Sequence, residues 1–246
     1  MKDLYKILNY ENWHELKKDI IKDLCGVDKF PDNRFIFRGQ KDEDWKLIAT
    51  FDRKYGALPF EKRRKIENSL VNNFTRLCIE WDGRTNFKQY TNLQLMSVGQ
   101  HYGLPTRLLD WTYSLYIAAF FAYCDIDNYD SNVAIWVIDK EHDIWQGDSG
   151  VTIETCRIEE NDRQKYQYGV FTLNKSPDKT IEDYVIACSR SYNTEGALFK
   201  IILPSEQKSI VLSDLEMMGI NYFSLYRGME GCAKAAVLKD LLEREH

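Results

Sequence analysis

Residues 113–123 are apolar around nearly the whole circumference of a helix, and residues 133–138 form an apolar run without polar alternation. A helix with no polar face needs protein on every side. A strand with no polar face needs cover above and below. The chain around this centre must therefore build a layered core. Hydrophobic residues make up 44% and aromatic residues 13% of the 246 positions, which is ample material for it. A chain of this length buries roughly 70–75% of its unfolded surface.

The flanking patterns say what the layers are. Trp13, Leu16, Ile20 and Leu24 share one face of a helix over 12–24. Residues 59–81 read as a long helix, with Pro59 at its first position and Ile66, Leu70, Phe74 and Leu77 as its stripe. Residues 92–102 read as another, stopped by Gly103 and Pro105. Residues 35–37 and Leu108-Leu109 are short strands. In the second half, 151–158, 169–173, 197–203 and 209–212 are expected as strands. Ser213 is expected to cap a short helix through Met218, ended by Gly219, and 231–245 closes the chain as a helix. Helices dominate the first half and strands the second, so the expected class is α+β, a helical N-terminal half packed on a mixed β core. Gly and Pro are scattered and mark no linker, so one domain over 1–246 is expected.

Net charge is −5, which opposes sequence-blind binding to nucleic acid. The basic run Lys62-Arg63-Arg64-Lys65 reads as a solvated helix face; the alternative is a patch facing a nucleic-acid or protein partner. The six cysteines show no CxxC or CxH spacing, so no metal is expected, and they read as small buried hydrophobes in a reducing compartment. No signal-peptide pattern opens the chain, and the longest apolar run, 115–124, is far too short for a membrane span. The expectation is a cytoplasmic protein with no membrane partner.

The common catalytic signatures GxGxxG, GxxxxGK[ST], HExxH and GxSxG are absent. The four histidines, His14, His101, His142 and His246, do not make a triad or a multi-His metal site. Two segments stand apart from ordinary core. In Phe37-Arg38-Gly39-Gln40, a cation follows an apolar strand and precedes a glycine that lets the backbone be approached closely. This suits a phosphate or carboxylate ligand, or a structural ion pair. The run from Gln100 to Thr112 gathers His101, Tyr102, Thr106, Arg107, Asp110 and Trp111 around the rigid Gly103 and Pro105. Asp110 there can meet Arg107 or Arg38, or cap the helix that begins near Tyr113. A third, weaker segment runs from Arg163 through Gln167-Tyr168-Gly169 to Thr172.

In this order, Phe37-Arg38-Gly39, the Gln100–Thr112 run and Gln167-Tyr168-Gly169-Val170-Phe171 resemble the FRG domain family, over about residues 30–240. That family looks distantly related to the ADP-ribosyltransferase superfamily, with its split-sheet fold. The resemblance implies three motifs on separate strands, in which Arg38, Thr106 and Gln167 would be the catalytic positions. It implies NAD as substrate, held by Arg38, Gly39, Gln40, His101, Tyr102, Arg107, Asp110 and Trp111. Gly39 would offer backbone contacts to the nicotinamide amide, and Tyr102 or Trp111 would stack on a ring. The implied activity is ADP-ribosyl transfer or NAD hydrolysis, as in a bacterial toxin or anti-phage effector, onto a protein or nucleic-acid acceptor. Gln167 departs from the pattern, being neutral where active relatives hold a carboxylate; Glu154, Glu159, Glu160 or Glu195 could substitute. The alternative is a nucleotide-binding or sensing module without turnover.

Overall fold

The computed structural model describes residues 5–26, 33–81, 87–126, 129–156, 165–226 and 228–244. Its centre is one mixed seven-stranded sheet. The strands are β1 (Lys6–Asn9), β2 (Phe35–Gln40), β3 (Leu108–Thr112), β4 (Val133–Asp139), β5 (Val151–Glu154), β6 (Gly169–Asn174) and β7 (Leu198–Leu203), and their order across the sheet is β1-β7-β4-β2-β3-β6-β5. β1 runs parallel to β7, and the other neighbours are antiparallel.

The side-chain period of two sorts the residues onto two faces. On β2, Phe35 and Phe37 point to one face and Ile36 to the other. On the front face, β1, β7, β4 and β2 are covered by α1 (Trp13–Cys25), α5 (Leu115–Tyr123), α7 (Lys208–Met217) and α8 (Tyr222–Leu225), with α9 (Met229–Arg244) outside them. The same face of β3 and β6 is covered separately by α3 (Phe60–Trp81) and α4 (Asn92–His101), through Val71, Leu95, Met96, Leu108, Phe171 and Leu173. The back face is one continuous cluster that joins Ile36 and Trp136 to Trp111, Val170 and the α6 helix (Ile181–Cys188). The short α2 (Thr50–Tyr55) lies at the edge of that layer.

The caps explain several boundaries. Asn12 accepts a bond from the Glu15 N–H at the start of α1, and left-handed Gly26 ends it. Thr91 and Gln94 make a reciprocal capping box on α4. Ser114, and not Asp110, caps α5 by accepting from the Ile117 N–H.

Other expectations need correction. Helices do dominate the first half, but strands do not dominate the second, where α6 to α9 match β4 to β7 in number among the described residues, and the unexpected β1 lies near the start of the chain. The expected strand over 209–212 is part of α7, and Ser213 lies inside that helix rather than at its N-cap. Val211, Leu212 and Leu215 bury one face of α7 against α5, a tertiary contact that outweighs the local β-branched signal. β5 ends at Glu154; of the expected strand 151–158, residues 157 and 158 lie outside the described residues. Among the cysteines, Cys124 and Cys156 are buried while Cys232 is exposed, and all six are unpaired. Among the described residues, no helix is long and apolar enough to cross a membrane.

Candidate functional site

The sheet is complete everywhere except at one seam. β2 and β3 share a single paired position, Phe37 opposite Thr112. β2 is fully paired with β4 on its other side, and β3 with β6. Beyond Phe37 and Thr112 the two strands diverge, and a cleft of about 400 Å³ opens in front of the gap, between α4 and α5. That volume lies in the range of small-molecule sites.

The glycine of the first motif has a packing role. A Cβ on Gly39 would fall 1.9 Å from the Ala118 carbonyl oxygen and 2.6 Å from the Ala122 nitrogen. Only glycine lets α5 lie flat on β2 at this point. Gly39 lines the cleft, but its missing side chain is accounted for by the helix.

Arg38 lies across the seam. Its Nη1 donates to the main-chain oxygen of Asp110 at 2.6 Å, bridging strands whose own ladder has stopped. Its Nε is buried without a hydrogen-bond partner among the described residues. Burial lowers the Arg38 pKa from the ordinary arginine value; Asp110 opposes the shift and Arg53 adds to it.

Asp110 projects from the exposed position of β3 into the cleft. Both of its carboxylate oxygens accept from Gln100 Nε2, at 3.0 and 2.9 Å. Gln100 is held in turn by the Thr106 hydroxyl, which donates to its Oε1. Thr106 itself is 2% exposed and lies behind Gln100, not on the cleft wall. Desolvation by the surrounding wall raises the Asp110 pKa despite the open side of the cleft, and Arg38 and the Gln100 bond oppose it.

Gln167 reaches the cleft from just before β6, and its Nε2 donates to the Leu225 main-chain oxygen at 3.2 Å. Its neighbour Tyr168 takes a left-handed conformation at φ 49°, which is uncommon for a non-glycine residue. His101 lines the cleft at the end of α4, edge-on to Tyr102 at 4.9 Å; Tyr102 is 76% exposed and does not line it.

Three predicted residues are engaged elsewhere. Arg107 is buried on the far side of α4. It donates from Nε to Asp52 Oδ2 at 3.0 Å and from Nη2 to the Ser176 oxygen at 2.9 Å, and Arg63 holds the other oxygen of the same Asp52 at 2.6 Å. Gln40 accepts from Trp136 Nε1 at 2.8 Å within the back layer. Trp111 reaches the cleft wall, but its indole is 3% exposed and donates to Thr172 Oγ1, so the ring is not presented for stacking. The basic run 62–65 is also not a single exposed patch, because Arg63 is in this buried ion pair.

Of the carboxylates expected to stand in for Gln167, the two that are described, Glu154 and Glu195, are not in the cleft. Glu154 pairs with Lys175 at 3.3 Å, Glu195 is exposed on the turn before β7, and Glu159 and Glu160 lie outside the described residues. Sequence reasoning gave Gln100 no role beyond opening the Gln100–Thr112 run and passed over Phe121 and Tyr226; all three line the cleft. Gln100 stands at the edge of the Gln100–Thr112 run, and only the fold shows that it holds Asp110. Phe121 looked like one more apolar position of α5.

Residues 33–131 match the family model for the FRG domain, a segment that contains Arg38, Gly39, Gln100, Thr106 and Asp110 and stops before Gln167. No curated protein and no solved structure matched the chain. The first two cleft motifs fall within the match, so residues 33–131 are similar to the FRG domain, while the third, at Gln167, lies beyond it.

Proposed function

We propose that the cleft binds NAD and cleaves its nicotinamide–ribose bond, passing ADP-ribose to water or to a macromolecular acceptor. The observation that carries this reading is convergence. Arg38 on β2, Asp110 on β3 and Gln167 before β6 come from distant parts of the chain, yet their strands are adjacent and they meet in one cleft. The resemblance to ADP-ribosyltransferases implies three motifs on separate strands, with Thr106 in the second; in the cleft that second place is held by Asp110, with Thr106 behind it.

The chemistry fits the groups present. Loss of nicotinamide develops positive charge on the ribose, as in glycoside hydrolysis. A fixed cation at the seam suits the pyrophosphate of a dinucleotide. A carboxylate facing the same space suits the developing ribose cation. Gly169, Phe171 and Tyr226 give the cleft a partly apolar wall against a flat ring.

The test uses NAD labelled separately in its nicotinamide and adenylate parts. Nicotinamide release is expected, with the adenylate label either free as ADP-ribose or attached to an added protein or nucleic-acid acceptor. Arg38→Ala is expected to remove it. If wild type shows neither release nor transfer above the Arg38→Ala level, the proposal fails.

One observation favours a second reading, in which the cleft holds a nucleotide without turnover: the Gln167 amide is neutral and already bonded to Leu225. That reading expects NAD or ADP-ribose to raise the melting temperature in an Arg38-dependent way with no nicotinamide released.

A further inference from the structure

Of the residues that line the cleft, Asp110 is the one acid among those described. Three features of its setting go beyond what an incidental surface aspartate needs. Both carboxylate oxygens are gripped from one side by a single amide, Gln100 Nε2. That amide cannot flip, because its oxygen accepts the Thr106 hydroxyl, and Thr106 is buried and anchored in turn, its main-chain oxygen accepting from the Phe51 N–H at 3.1 Å. The carboxylate is thus aimed through two consecutive hydrogen bonds from the interior.

The neighbouring cation is also handled unusually. Arg38 donates to the main-chain oxygen of Asp110 and not to its carboxylate. No cation stands at ion-pairing distance from that carboxylate among the described residues. The carboxylate is fixed in direction but has no ion-pair partner among the described residues, and its open side is towards the cleft. An aspartate kept only for structure would gain from a direct ion pair with Arg38, whose charge is felt at this carboxylate but whose hydrogen bond goes to the main chain.

We infer that Asp110 is the catalytic carboxylate of this cleft, supplying from the second motif the charge that Gln167 lacks in the third, with Gln100 and Thr106 as its positioning residues. The inference rests on the NAD-cleaving reading. The bond from ribose C1′ to the nicotinamide nitrogen breaks, and its electron pair leaves with neutral nicotinamide. The ribose is left as a cation facing Asp110. When water is the acceptor, a lone pair on its oxygen forms the new C1′–O bond. Its proton passes to Asp110 and then to solvent, so NAD and water give ADP-ribose, nicotinamide and one proton. The wall that desolvates Asp110 also makes it a better proton acceptor than an ordinary surface carboxylate.

The experiment measures NAD cleavage by wild type, Asp110→Asn, Thr106→Val and Thr106→Ser. Asn keeps the shape and an acceptor for Gln100 but removes the charge. Asp110→Asn is expected to lower kcat by about 100-fold or more while KM for NAD stays within about threefold. The acid limb of the wild-type pH–rate profile should disappear with it. Thr106→Val should lower kcat about tenfold with KM unchanged, and Thr106→Ser, which keeps the hydroxyl, should restore it.

If Asp110→Asn cleaves NAD within about threefold of the wild-type kcat, the inference is overturned and the NAD reading stands. If wild type does not cleave NAD, both are overturned. Should Asp110→Asn fail to fold, Asp110→Glu carries the test. It keeps the charge but moves it by one methylene, and it is expected to lose about tenfold in kcat. Wild-type kcat in that variant would overturn the inference.

Discussion

Replacing Gly39 with alanine adds one methyl group at the tightest contact around the cleft. The new Cβ would lie 1.9 Å from the Ala118 carbonyl oxygen. A comfortable separation is about 3.5 Å, so the two backbones must part by roughly 1.6 Å. Neither side yields easily. β2 is hydrogen-bonded to β4 along its whole length, and α5 is buried through Ile117, Ala118, Ala119, Phe120, Ala122 and Tyr123. Over-packing a tight core costs about 1–3 kcal/mol, and a clash with the main chain of a buried helix belongs at the upper end, about 3 kcal/mol. At about 2–4 °C per kcal/mol for a chain of this size, the melting temperature should fall by roughly 6–12 °C. Differential scanning calorimetry on Gly39→Ala reads this directly. Gly147→Ala, where an added Cβ meets nothing within 4 Å, serves as the control and should stay within about 0.5 kcal/mol. A Gly39→Ala melting temperature within about 2 °C of wild type would refute the claim that this glycine exists for the approach of the helix.

Two further outcomes are expected. Asp52→Asn leaves Arg63 and Arg107, 3% and 2% exposed in their side chains, without their shared counter-charge, and should cost about 3–5 kcal/mol in urea unfolding; a loss under about 1 kcal/mol would show that the ion triad is not needed. Glu182, whose two oxygens accept from the Leu47 N–H at 3.1 Å, has its pKa raised by burial. A raised carboxyl pKa means that the folded state binds the proton more tightly, so this group's contribution favours folding at low pH and is lost as pH rises from about 4.3 through the raised value. Glu182→Gln should flatten that part of the stability–pH curve, and an unchanged curve would contradict the assignment.

The sequence was most legible where burial is uniform. The all-apolar α5 and β4 are read correctly because a segment without a polar face can only be central. α1 is read from its stripe, and Trp13, Leu16 and Ile20 are indeed buried. β1 is missed because it is a four-residue, largely exposed strand at the sheet edge, with no alternation to detect. α2 is missed for lack of length, and that omission has a consequence: Asp52 lies on it, and without Asp52 in view Arg107 reads as a ligand-binding cation rather than half of a buried ion pair.

In the site, local composition locates the segments but not the side on which each side chain emerges. Trp111 and Asp110 are neighbours in sequence, yet the strand period sends one into the back layer and the other into the cleft. Thr106, singled out as a reacting group, holds the amide that aims Asp110. Such a two-step arrangement is invisible until Gln100 and β3 are placed together.

The seam between β2 and β3 divides the front of the molecule but not the back. In front, the clusters around α5 and around α4 are separate cores; behind, Ile36, Trp111, Trp136 and Val170 belong to one. The molecule is bound like a book, with its spine along the back layer and its leaves meeting at the cleft. Any widening of the cleft must pivot on that spine, and Arg38, fastened from one leaf to the main chain of the other, is the clasp. A ligand that takes hold of Arg38 would therefore also set how far the leaves stand apart.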